Sequence, residues 1–136
     1  MTDFMSALAA GLESAKNTDR QRREIDEKLN SLQALVLQGT FGAAELQFEP
    51  YANHNMAILG HSVFSLYAVS THDTTKGRRI AYFIIDRDHG YPFVLEAPDS
   101  KWVCVSVDEI EYAFSELVQA TAVANFLFEL IELKNR

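Results

Sequence analysis

Residues 39–49 read GTFGAAELQFE, and the hydrophobic period of the chain changes within them. Gly39 and Gly42 stand close together and supply the stop signal for a helix arriving from upstream. From Ala44 onward the pattern alternates. Leu46 and Phe48 fall on one side and Glu45, Gln47 and Glu49 on the other, as in a strand with one covered face. Upstream of this boundary the apolar spacing is helical, and downstream it belongs to strands as far as residue 107. The chain therefore reads as α+β.

Upstream, residues 3–38 contain no proline and a single glycine, Gly11, and Asp3 or Thr2 is suited to cap the start. Phe4, Leu8, Leu12 and Ala15 form one apolar stripe, and Ile25, Leu29, Leu32 and Val36 form a second. Between them NTDRQRRE (17–24) has no apolar side chain. This admits either one long helix with a wet middle or two helices bent near Asn17–Thr18. Charge spacing favours the continuous helix. Asp19–Arg23, Arg20–Glu24, Arg22–Asp26, Arg23–Glu27 and Glu24–Lys28 are all opposite charges four residues apart, each contributing about 0.2–0.5 kcal/mol to a helix.

Downstream, AELQFE (44–49), MAILGHSVFSLYAVST (56–71), RRIAYFIID (78–86), FVLEA (93–97) and WVCVSV (102–107) give four or five antiparallel strands in a meander. Turn-forming PYANHN, HDTTKG, RDHGYP and PDSK join them. The second run is too long for a straight strand, and Gly60 marks a bend or bulge in it. Ser106 and Glu109 then have the spacing of a capping box, and no glycine or proline interrupts a long C-terminal helix, packed on the sheet, over 107–134. Ile110, Phe114, Leu117 and Val118 form its buried stripe. Beyond them VANFLFELIEL (123–133) is apolar around most of its circumference, which places it between two layers or in an interface. The chain reads as one domain, 1–136, with a helix or bent helix pair at 1–38, a sheet at 44–107 and a helix at 107–134.

Composition narrows the function classes. The 136 residues carry 19 acidic and 12 basic side chains, a net charge of −7. Arg20, Arg22 and Arg23 are surrounded by Asp19, Glu24, Asp26 and Glu27, so their field largely cancels within a Debye length. No basic footprint for nucleic acid remains. No apolar run reaches the ~20 residues of a membrane-spanning helix. The first residues lack the positive charge of a secretory signal, and the lone cysteine, Cys104, excludes an intramolecular disulfide. These features point to the cytoplasm.

Motifs for chemistry are absent. No phosphate-binding glycine loop, nucleophile elbow or dinucleotide fingerprint occurs. Of the four histidines, His61 and His89 fall with Asp88 at one end of the 63–86 hairpin and His72 at the other, while His54 belongs to a separate turn. Only His61, Asp88 and His89 could converge, and zinc needs three or four tightly placed ligands, so histidines in surface turns are the stronger reading. DRDHGY (86–91) has tyrosine and alanine where a calcium loop needs glycine and glutamate. Cys104 lacks a base nearby and reads as a buried, inert thiol. No catalytic, cofactor or metal residues are assigned, and the reading leans away from an enzyme.

The surplus of apolar helix surface is the positive signal. It indicates a small acidic interaction or adaptor protein, self-associating as a homodimer through Phe4, Leu8, Leu12, Ile25, Leu29, Leu32, Phe126, Phe128 and Ile131, with room for another protein partner. A second reading is a chaperone-like or inhibitor protein that binds a polypeptide on its sheet. A third is a ligand-binding domain or enzyme with a sheet–helix pocket lined by Tyr67, Tyr82 and Trp102. Periodicity leaves open which sheet face the helices cover.

Overall fold

Residues 3–51, 60–86 and 88–136 are described in the computed structural model. The first element, α1 (Phe4–Gly39), is one unbroken helix of 36 residues, about 54 Å long at 1.5 Å per residue. The Asp3 carboxylate caps it by accepting the Met5 N–H at 3.1 Å. Of the five charge spacings in its middle, Asp19–Arg23 closes as an ion pair, at 3.0 Å. Lys28 turns instead to Glu111, at 3.6 Å.

The C-terminus of α1 is a Schellman turn. The Gly42 N–H bonds back to the Leu37 carbonyl and the Phe41 N–H to the Gln38 carbonyl. The left-handed position usually held by glycine is occupied by Phe41, at φ 57°, and its side chain is 74% exposed. The Lys134 ammonium donates to the Phe41 carbonyl and ties this turn to the far end of the chain.

Five strands follow: β1 (Ala44–Pro50), β2 (His61–Ser70), β3 (Gly77–Asp86), β4 (Gly90–Ala97) and β5 (Ser100–Cys104). They pair antiparallel in sequence order, the expected meander. The turn PYANHN from Ala52 onward and the start of the 56–71 run lie outside the described residues. Gly60, at φ 81°, precedes β2. A bulge sits where Leu66 pairs with Ala81 but Tyr67 pairs with Arg79. Ile80 is the extra residue, and after it Arg78 falls on the helix side while Arg79 falls on the other.

One sheet face carries the core. Phe48, Phe64, Phe83 and Phe93 line up across β1–β4, with Phe64–Phe83 and Phe83–Phe93 stacked at 5.0 and 5.3 Å and Phe48 edge-on to Phe83 at 5.4 Å. Leu66, Leu95 and Cys104 fill the same face. The second stripe of α1, Ile25, Leu29 and Leu32, packs into this layer. The Gln33 amide donates to the Leu46 carbonyl at 2.9 Å, tying α1 to edge strand β1.

The C-terminal segment departs from the single helix expected. It forms α2 (Val107–Gln119) and α3 (Thr121–Lys134), bent by 72°. Ala120 between them is extended, at φ −60° and ψ 134°. A straight helix over 107–134 would run about 42 Å and leave the sheet behind. The bend returns Val123, Phe126 and Leu130 to the core against β1 and β2. The capping box forms in a modified version. Ser106 Oγ accepts the Glu109 N–H, and the Glu109 carboxylate reaches back to the Val105 N–H rather than to that of Ser106. No single helix among the described residues is long and apolar enough to cross a membrane.

Candidate functional site

The two stripes of α1 have different fates. Ile25, Leu29 and Leu32 are buried, but every residue from Asp3 to Asn17 is exposed. The helix meets the body at the β3–β4 turn, where Thr18 Oγ1 donates to the Asp88 carbonyl at 3.2 Å. The helix also comes close to Gly90, whose φ is 81° and where an added Cβ would stand 3.1 Å from Gln21 Cβ. N-terminal to that contact, about 21 Å of helix projects as an arm. Its stripe remains uncovered, with Phe4, Met5, Leu8 and Leu12 at 74, 67, 44 and 57% exposure. At 3.6 residues per turn this stripe points about 90° away from the core stripe. The arm thus does not simply prolong the face that packs on the sheet.

At the other end of α1 lies a groove of about 750 Å³, walled by Leu35 and Val36 of α1, Tyr112 and Val118 of α2, and Leu127, Phe128 and Ile131 of α3. The bend at Ala120 creates it by swinging α3 away from the axis of α2. Leu35, Tyr112 and Phe128 are half to three-fifths exposed along its walls. Asp108 and Glu111, in the first two turns of α2, line the same groove. A hydrogen bond from the Tyr112 hydroxyl to Glu116 raises the tyrosine pKa, with the carboxylate charge adding to the effect. The walls are apolar and the ionised groups are few. Such a surface suits the apolar face of a helix better than it suits polarising a bond.

The residues expected at an interface therefore divide. Phe4, Leu8, Leu12 and Phe128 are exposed, and Ile131 is half-buried in the groove wall. Ile25, Leu29, Leu32 and Phe126 belong to the chain's own core. For these four an interface is the wrong assignment: the sheet of the same chain supplies the surface their stripes required. Sequence reasoning missed Leu35, Tyr112 and Phe41. Leu35 and Tyr112 lie outside the periodic stripes, and the left-handed backbone of Phe41 has no signature in sequence.

The expected pocket of Tyr67, Tyr82 and Trp102 does not form. Trp102 pairs with Leu95 on the helix-covered face, whereas Tyr82 pairs with Glu96 on the opposite face, beside Tyr67. Trp102 instead lines a cavity of about 440 Å³ with Arg78, Leu117 and Val123. The Arg78 guanidinium lies over Phe126, 4.8 Å from the ring centre, and Arg79 over Tyr82, at 4.4 Å.

His61 stands opposite Asp86 at the β2–β3 end, with Asp88 and His89 in the adjoining turn. Burial pushes the Asp86 carboxyl up, but N–H bonds from Asp88 and His89 and the His89 ring outweigh it, leaving the pKa below the ordinary value. Among the described residues no three His, Cys, Asp or Glu side chains converge as metal ligands. Cys104 is buried, and burial together with the Glu109 charge pushes its thiol up to about 11. Compared with protein-family models, curated proteins and solved structures, the chain matches none.

Proposed function

We propose that this chain is a self-associating interaction module, working from the cytoplasm, that binds through its helices. The observation that carries the reading is the arm of α1. A helix of that length is marginal alone in water, yet here it extends from a packed helix and bears four large apolar side chains with no cover from the described residues of its own chain. Isolated exposed apolar residues are ordinary, but an aligned stripe of them marks a contact surface. The reading is tested by light scattering on the full chain at tens of micromolar. A mass near twice 15.3 kDa supports it, and a strictly monomeric species overturns it.

A second reading has its own support. The sheet face opposite the helices presents Tyr67, Tyr82, Ile84 and Val94, all half-buried, and the exposed Val103. No helix among the described residues packs there. Such a face suits an extended polypeptide of the chaperone or inhibitor kind. If this is the working surface, the double substitution Tyr67→Ser and Tyr82→Ser abolishes capture of a stoichiometric partner and leaves the mass of the free chain unchanged. Undiminished capture by that variant refutes it.

A further inference from the structure

The arm and the groove lie at opposite ends of one helix, and each lacks what the other offers. We infer that residues 4–15 of one copy seat in the α1–α2–α3 groove of a second copy, and that the exchange is reciprocal. This rests on the self-association reading above and specifies which surfaces make the contact.

Geometry excludes the contact within one chain. Leu12 and Leu32 are separated by about 30 Å of continuous helix, and α1 is unbroken between them. The arm cannot fold back without losing the helix that carries it. An arm seated in the groove has to come from another molecule, and each copy of this chain brings one.

Shape and charge agree with that occupant. The arm is an amphipathic helical segment with anchors at positions i, i+4 and i+8, the pattern by which a helix lies in an apolar groove. Phe4, Leu8 and Leu12 face walls made by Leu35, Tyr112 and Phe128. Glu13 is on the back of the arm, while Lys16 flanks the stripe one turn beyond Leu12. Asp108 and Glu111 line the groove, so its charge is opposite in sign to that of Lys16, although Glu111 also faces Lys28 at 3.6 Å.

Area explains why the exchange has to be mutual. Residues 4–15 seated to half their girth cover roughly 300 Å² of helix and as much groove, about 600 Å² per contact. That falls among packing contacts that do not persist in solution, whereas two such contacts together reach roughly 1,200 Å², the lower bound of a stable interface. A second copy provides both contacts at once. A foreign helix provides one.

The test uses two full-length variants, Leu8→Asp/Leu12→Asp in the arm and Phe128→Asp in the groove. All three side chains are exposed in the single chain, so circular dichroism and melting temperature are expected to match the parent at low concentration. Should Phe128→Asp disturb folding, Tyr112→Asp, also exposed, replaces it. Sedimentation velocity then reads assembly. Each variant alone loses both contacts and sediments as a monomer, its association weakened by about 100-fold or more. An equimolar mixture regains one contact, the arm of one variant in the groove of the other, which is too small to persist, so the mixture stays far below the parent's degree of association. If the parent is a dimer and either variant remains one, the exchange is refuted and self-association stands on another surface. A mixture that associates as tightly as the parent also refutes it, since one contact would then suffice without exchange. If the parent itself is monomeric, both the exchange and the proposed function fail.

Discussion

Leucine appears on both stripes of α1, so the same substitution at two positions measures the division of the helix directly. Leu29 is 5% exposed and Leu12 is 57% exposed. Leu29→Ala removes buried methyl groups between α1 and the sheet, and such changes cost about 2–5 kcal/mol. For a chain of this length, about 3 kcal/mol lowers Tm by roughly 10 °C. Leu12→Ala removes nothing that touches the chain's own body and replaces leucine with a slightly better helix former. Its expected effect on the single chain is within about 0.5 kcal/mol. The assay is thermal or urea unfolding of the parent and both variants in the low micromolar range and again near a hundred-fold higher concentration. Leu29→Ala is destabilised at both. Leu12→Ala is expected to match the parent at the low concentration and to fall behind it at the high one, because the proposed assembly would stabilise the folded parent by mass action. Equal losses for the two variants at low concentration would mean that the arm packs on its own chain and is not an uncovered surface.

Three further outcomes follow from local geometry. Phe41→Gly relieves a left-handed backbone held by an exposed phenylalanine and raises stability by about 1 kcal/mol in denaturant titration; a loss would show that the ring packs on something. Gly90→Ala, at φ 81° and 3.1 Å from Gln21 Cβ, costs more than about 1 kcal/mol and loosens α1 where it meets the β3–β4 turn, so faster amide exchange in residues 18–22 is expected. Cys104, with its thiol pushed up to about 11 by burial, resists alkylation in the native chain at pH 8 and reacts only on unfolding; rapid native labelling would contradict its burial.

The sequence was most informative where local rules decide. The change of period at Ala44, the capping serine at Ser106 and the continuity of α1 through NTDRQRRE all follow from spacing within one element. Each is found where spacing puts it. The C-terminal bend was not legible, because Gln119-Ala120-Thr121 contains neither glycine nor proline. Ala120 becomes extended because Val123, Phe126 and Leu130 gain the core only if α3 turns back.

The site was harder to read than the fold. Phe4–Leu8–Leu12 and Ile25–Leu29–Leu32 give the same helical signal, and what separates them is how far along α1 the sheet reaches, a tertiary fact. The grouping of Trp102 with Tyr67 and Tyr82 failed for a similar reason. Which face each ring takes depends on strand register, and pairing puts Trp102 beside Leu95 while Tyr82 pairs with Glu96.

The arm is bare in the single chain, and the proposed assembly would cover it. Hydrogen exchange of the amides of residues 5–17, followed across protein concentration, reads both states in one experiment. Fast exchange is expected in the arm at low concentration, with protection rising as the proposed assembly forms, while amides around Ile25–Leu32 remain protected throughout. Arm protection that is the same at every concentration would contradict that assembly.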